Sequence, residues 1–412
     1  MSQTIFYIIL TLIIVEFFWD RFLLYLNTTK WNSKVPSELS SIYNDEEYAK
    51  QQSYSKVNYK FGWVTGVYSL LLIVLMIIFD GFAFVDNWAL SISDSPILRA
   101  LIFFGVIGFA STLLNIPFSL YSTFVIEEKF GFNKTDAKTF VLDMLKSLLI
   151  GAILGGGILA LIIWFYTATG IYFWLYAWAL VTVFMLFITT FYTSLLLPLF
   201  NKQTPLEDGE LKTAIQLFSD KVGFKLDNIF IMDGSKRSTK ANAFFSGLGS
   251  KKRIVLYDTL VNDLSVEEVV GVLAHEIGHY KKKHTLWGMI IGILQTGVML
   301  FIFSLFVGSV DLSAALGVNE PVFHIALIAF GILYSPISGI SGMFSSIFSR
   351  KNEYEADAFA AKYHNAKSLI SALKIISVKA LSNLTPHPLY VFFHYSHPPL
   401  LQRIEALRKF EK

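Results

Sequence analysis

Cysteine is absent from all 412 residues. That excludes a disulfide scaffold, a thiol nucleophile and a thiolate-held metal, so an ion bound here has to be held by histidine and carboxylate. Charge is scarce too: Asp, Glu, Lys and Arg make up 16% of the chain and the formal net charge is +3. With the lysines spread over loops rather than gathered in one patch, nucleic acid is not an expected partner. The N-terminus lacks a basic leader and a small-residue cleavage site, so its apolar run reads as a retained membrane span, not a signal peptide.

Apolar residues fill the chain instead, at 54% with a mean hydropathy of +0.54. These values lie outside the range of soluble globular domains and predict a mostly α, multi-pass protein of the lipid bilayer. Runs of about 20 apolar residues, the length that crosses a bilayer, occur at Thr4–Leu26, Trp63–Phe84, Ile97–Ile126, Leu148–Thr167, Ile171–Leu199, Leu286–Val310 and Val322–Ile347, seven in all. The connecting loops alternate in charge. Lys30, Lys34, Lys50, Lys56 and Lys60 follow the first run and Lys129, Lys134 and Lys138 the third, whereas Asp86 and Asp94 follow the second and Asp311 and Glu320 the sixth. By the positive-inside rule the N-terminus faces out and the two soluble pieces face the cytoplasm. The chain then divides into spans one to five over 1–200, a soluble segment over 201–285, spans six and seven over 286–348, and a soluble C-terminal segment over 349–412.

In the first soluble piece, Thr204 to Asp208 open a helix-like stretch with Leu211, Ile215, Leu217 and Phe218 at helical spacing. Three β-type runs follow, Asn228–Met232, Ala241–Phe245 and Arg253–Tyr257, with turn material at Asp233 to Ser235 and Gly247 to Lys251. Ser265 and Glu268 then form a capping box ahead of an apolar-periodic helix. That helix contains His275-Glu276-Ile277-Gly278-His279. Residues four apart share a helix face, so both imidazoles can hold one ion while Glu276 reaches a water on it as general base. Alone, this pattern is short enough to arise by chance on a surface helix.

Two further spans return the chain to the side it left, so residues beyond Arg350 can meet the two histidines. There Glu353 and Asp357 lie four apart on one helical face, with Glu355 about 200° away from Glu353. Glu353 reads as the third metal ligand and Asp357 as an acceptor for the far nitrogen of a ligand histidine. Asn242, on an edge strand ahead of the motif, is a candidate for binding substrate backbone. Near the C-terminus, His387, His394 and His397 fall in a proline-rich stretch read as non-helical until an amphipathic run from about Leu400, with Arg403 following. Glu16, Asp20, Arg21 and Asn115 are polar at membrane depth, where such groups face a cavity or another helix. His324 and His364 read as structural and His284 as interfacial.

Taken together, Phe124 to Lys134, Pro198 to Lys202, Asn242-Ala243-Phe244, His275 to His279, Glu353 to Asp357 and His394 to Pro399 with Arg403 resemble the type I CAAX prenyl proteases, a family of integral-membrane zinc metalloproteases. The resemblance spans nearly the whole chain. It implies seven transmembrane helices around a water-filled chamber, with a small cytoplasmic α+β zinc-metalloprotease domain split by the last two spans. It implies one Zn²⁺ per chain, held by His275, His279 and Glu353, with Glu276 as the base. His397 and Arg403 then become donors to the oxyanion or the peptide carbonyl. The implied substrates are prenylated CAAX proteins or peptides that lose their last three residues, or other membrane-associated peptides. One chain suffices for the site. The implied location is the endoplasmic reticulum and inner nuclear membrane in a eukaryote, or the inner membrane in a bacterium. Lys240 departs from the pattern, which has histidine there in several relatives, and puts finer substrate preference in question. Two other readings stand beside this one: a general quality-control protease of the heat-shock type, and a transporter or channel whose metal is structural.

Overall fold

The computed structural model describes residues 1–32, 34–224, 229–246 and 253–411. Five helical segments are long and apolar enough to cross a membrane: Asp45–Ile78, Pro96–Glu127, Ala137–Leu199, His284–Phe306 and Phe323–Tyr363. The first of these is α2, preceded by α1 (Ser2–Thr28), a further apolar helix of 27 residues. Asn44 and Glu47 start α2 with a reciprocal capping box, on the soluble side of its apolar stretch. Asp80, at φ 51°, breaks the chain after Ile78, and α3 (Gly81–Ile92) follows as a separate helix. The second span read from sequence therefore stops short of Phe84. Asp86, counted above as a loop charge, is buried in α3 and gripped by Arg99 at 2.6 and 2.8 Å and by His324 at 2.8 Å.

Pro96 begins α4 (Pro96–Tyr121), whose first turn needs no amide hydrogen there. Past Pro117, which cannot donate to the ladder, the helix widens into a π segment, Ser122–Glu127. The stretch Ala137–Leu199 holds α5 (Ala137–Ile150), a π segment at Gly151–Gly155, α6 (Gly156–Thr169) and α7 (Phe173–Phe191). Gly170, with φ 55° and ψ −129°, ends α6 in a conformation that glycine adopts at no steric cost. The chain then folds back: Tyr176 of α7 meets Phe165 of α6 with ring centroids 5.5 Å apart.

The soluble side is built on a four-stranded sheet of order β1-β2-β4-β3, with β1 (Gln203–Pro205), β2 (Ile229–Met232), β3 (Ala243–Ser246) and β4 (Arg253–Tyr257). Strands β2 and β4 are parallel; the outer pairs are antiparallel, leaving β3 at an edge. Packed around it are α8 (Glu210–Lys221), α9 (Asp258–Asp263) and α10 (Val266–Lys281). The chain continues through α11 (His284–Phe306), α12 (Val310–Ala314), α13 (Phe323–Tyr363), α14 (Ala366–Lys379), α15 (Pro388–His394) and α16 (Leu400–Arg408). One core joins Ile254, Leu256, Ile215, Leu273, Ile277 and Leu369; a second joins the membrane helices through Phe103, Phe173, Phe303 and Ala326.

Several local readings change. Thr204 and Pro205, read as a helix opening, form β1 against β2, and α8 starts only at Glu210. Leu217 is exposed, off the buried stripe of Ile215 and Phe218. Pro388 occupies the first turn of α15, so the stretch read as non-helical contains a helix for the reason that proline favours that position. Asn228 and Gly247 to Lys251 lie outside the described residues.

Helix α13 runs unbroken for 41 residues, so one rod carries the last apolar run and the Glu353–Asp357 turn. It meets α10 backbone to backbone: a Cβ on Gly278 would stand 3.1 Å from Ala356 Cα and 3.2 Å from Ala356 O. A Gly278→Val protein is expected to lose about 1–3 kcal/mol of stability through overpacking, and to retain less metal as α13 is pushed outward. Thermal unfolding and metal content of the purified variant check both.

Candidate active site

The Ser265 side chain caps α10 by accepting from Glu268 N, and the Glu268 carboxylate accepts from Ser265 N at 2.8 Å. The helix lays Val269, Val270, Leu273 and Ile277 into the soluble core. His275 and His279, one turn apart, are thereby held on the side that meets α13, with their Nε2 atoms 3.1 Å from each other. Glu353 of α13 enters between them: its carboxylate oxygens lie 3.4 Å from His275 Nε2 and 3.2 Å from His279 Nε2. Among the described residues, these three form the one group whose ligand atoms all lie within 4.8 Å of each other, as a metal site requires.

The arrangement behind the ligands sets their protonation. Asp357 Oδ1 is 2.9 Å from His275 Nδ1, so that nitrogen carries the hydrogen and Nε2 faces the cluster. Arg403, buried, forks onto both Asp357 oxygens at 2.8 and 2.7 Å and brings a third nitrogen within 3.3 Å of Glu353 Oε2. Burial works against charge on His275, but the neighbouring carboxylates Asp357 and Glu353 outweigh that and push the imidazolium up to about 9. Burial likewise pushes the Glu276 carboxyl up, against the pull of His275 and His279. A carboxylate so raised is a better proton acceptor at neutral pH.

Glu353 Oε2 is buried and, despite its ion-pair distances, has no hydrogen-bond partner. A carboxylate whose two oxygens each face an imidazole nitrogen, one of them without a hydrogen bond, is the donor set of a divalent transition metal. The residues present therefore fit a bound ion, and three protein ligands leave a coordination position open.

His397 Nε2 stands 3.3 Å from Glu353 Oε1, while its Nδ1 bonds to Ser396 Oγ at 2.8 Å. Asn242 is not joined to this cluster by any contact among the described residues. It lies just before β3, its carbonyl accepting from Tyr257 N at 3.0 Å and its side chain accepting from Ala243 N at 2.8 Å. The nearby Lys240 pairs with Glu127 at 2.7 Å and lies over the Phe132 ring at 4.3 Å. Asn133 bridges to Ser238, and Phe132 O accepts from Thr239 N at 3.1 Å. The end of α4 thus braces the approach to β3. Reading from sequence missed two members of the site's surroundings. His284, read as interfacial, is buried with Nδ1 3.0 Å from His279 Nδ1, and Glu355 lies 3.4 Å behind it. A third histidine five residues past the motif was the only signal.

Residues 25–202 match the family described as CAAX prenyl protease N-terminal, five membrane helices, and residues 205–411 match peptidase family M48. The CAAX prenyl protease 1 of Saccharomyces cerevisiae is 36% identical over 421 residues, covering 96% of this chain and 93% of its own. The human CAAX prenyl protease 1 homolog is 32% identical over 446 residues, covering 95% and 93%. The crystal structure of S. mikatae Ste24p superposes with a TM-score of 0.94 at 35% identity, covering 98% of this chain and 99% of that one.

Asp357 and Glu353 push the His275 imidazolium up to about 9, and a ligand histidine must be neutral, so a metal bound at His275 would displace its proton at pH 7. The proton is held below that value and lost above it. Apparent metal affinity should therefore climb about tenfold per pH unit up to roughly pH 9 and then level. Calorimetry in buffers of different ionisation heat should register the released proton at pH 7.

Proposed function

We propose that this chain, which belongs to peptidase family M48 and carries that family's CAAX prenyl protease N-terminal region, removes the last three residues of prenylated CAAX proteins with one zinc ion on His275, His279 and Glu353. The metalloprotease class follows from the family. The observation that carries the rest is the His-His-Glu cluster with an unpartnered Glu353 oxygen and Glu276 beside it.

Bound in that site, zinc would supply Lewis acidity to a water and to the scissile carbonyl. Glu276 takes a proton as the water oxygen attacks the carbonyl carbon, then passes it to the amine nitrogen as the C–N bond breaks. His397, beside Glu353 Oε1, donates to the oxyanion, and the fixed charge of Arg403 favours the same build-up while holding Asp357 and Glu353 in place. Asn242 at the head of edge strand β3 positions an extended peptide by main-chain hydrogen bonds.

The surroundings favour a lipidated substrate. With α1 and the fold-back at Gly170 counted beside the five long apolar segments, the chain would cross the membrane seven times, and the basic loops favour the cytoplasmic side for the soluble elements. In this topology residues 1–200 carry five spans, 286–348 carry two, and the metal domain is split between 201–285 and 349–412. In the most apolar 18 residues of Ala137–Leu199 only 6% are buried, and α5 has no buried residue. A packed bundle buries a stripe along each helix; walls exposed on both faces suit a hollow, water-filled chamber. A cavity of about 1210 Å³ opens between α4, α5 and α6, lined by Gly105, Gly108, Gly151 and Gly155 among apolar side chains. An adjoining one is lined by Ser111, Asn115, Ser119 and Asp143. Lipid and peptide would find matching compartments. Acting on prenylated proteins, the protein would reside in the endoplasmic reticulum and inner nuclear membrane of a eukaryotic cell, or in the inner membrane of a bacterium.

With a farnesylated CAAX peptide and purified protein, Glu276→Gln should retain zinc and its fold while turnover falls by about 10²–10⁴-fold. Wild-type cleavage by that variant would sink the assignment. His397→Ala should lower kcat by about 10²–10³-fold with little change in KM, as expected of a donor to the transition state; a change in KM alone would assign it to substrate binding instead.

A further inference from the structure

Given the proposed metal site, His279 Nε2 faces the ion and its Nδ1 points away. What it meets there is a built contact. On a continuous helix a residue five positions on would lie about 140° around the axis, out of reach. Instead α10 ends at Lys281, and Lys283 takes the left-handed conformation at φ 60° although it is not glycine. That turn swings the first residue of α11, His284, back under the ligand. The rings meet edge to face at 5.1 Å between centroids, with Nδ1 to Nδ1 at 3.0 Å. The other nitrogen of His284 lies 3.4 Å from Glu355 Oε2 on α13, and Lys351 Nζ lies 3.9 Å from the other Glu355 oxygen.

We infer that His284, oriented by Glu355, is a positioning residue for the metal ligand His279. One arrangement of hydrogens satisfies all three groups. With the metal on Nε2, His279 donates from Nδ1–H; His284 must accept at Nδ1, so its own hydrogen sits on Nε2 and points to the Glu355 carboxylate. A His284 charged on both nitrogens would set two N–H groups against each other across 3.0 Å. The two ligand histidines are thus backed differently: His275 by the carboxylate Asp357, His279 by a neutral imidazole with a carboxylate behind it. The relay also fastens His279 to the first residue of α11 and to α13, the helix that delivers Glu353.

The full-length protein in detergent provides the test, with zinc affinity read by chelator competition alongside thermal unfolding. His279→Ala should abolish tight zinc binding; if it does not, the metal site itself is misassigned, separately from the relay. His284→Leu removes the acceptor and should weaken zinc by about 10–100-fold. His284→Asn keeps an acceptor oxygen near the Nδ1 position and should recover most of that loss. Unchanged zinc affinity in His284→Leu would overturn the inference, as would a folded His284→Asn that binds as weakly as His284→Leu. Should His284→Leu fail to fold, Glu355→Leu tests the outer link: weakened zinc is expected, and unchanged affinity counts against the relay.

Discussion

The approach of α10 to α13, with Gly278 laid directly against the Ala356 backbone, is the contact on which the site depends. A helix pair separated by ordinary side chains would leave Glu353 short of the two histidines. Here the absence of a side chain inside the histidine motif lets three donors from sequence positions nearly eighty apart meet in one cluster. The same helix that supplies the carboxylate continues from a long apolar run, so the position of Glu353 is tied to the packing of the membrane helices.

That geometry buries charge, and buried charge persists only where it is paired. His275, Glu353, Asp357 and Arg403 are all buried. Arg403 neutralises Asp357 and faces Glu353, Asp357 fixes the His275 hydrogen, and one Glu353 oxygen is left without a hydrogen-bond partner. A divalent cation bound at that residual acceptor would complete the pairing. The network therefore does two jobs with the same residues: it orients His275 and Glu353, and it leaves one buried acceptor open.

A second brace connects chemistry to membrane. The π segment that ends α4 carries Glu127, which pairs with Lys240 two residues ahead of Asn242, while Asn133 bridges to Ser238. The start of the edge strand is thus anchored to a membrane helix at one end and paired with β4 along its length. Lys240, read from the sequence as a departure from the resemblance, is engaged in this brace; its ammonium is shared by Glu127, Tyr54 and the Phe132 ring.

By itself the sequence determined the membrane class, restricted any metal to histidine and carboxylate donors, and named most of the residues that the structure brings together. Apolar run length reports bilayer crossing directly, the absence of cysteine restricts the ligand types, and i,i+4 spacing on α10 and α13 is local geometry that periodicity reveals. The order of the motifs was enough to indicate the family. Tertiary structure decided what depends on turns and on contacts between distant segments. Asp80 and Lys283, both at positive φ without glycine, carry no composition signal, so the break after Ile78 and the return of His284 to His279 were not legible. Pro388 was read as a breaker because its role depends on whether it sits inside a helix or at its first turn, which the sequence alone does not fix. Asp86, apparently a loop charge, is buried because Arg99 and His324 reach it from two other helices. In each case the deciding partner lay across a turn or on another helix, where local pattern carries no information.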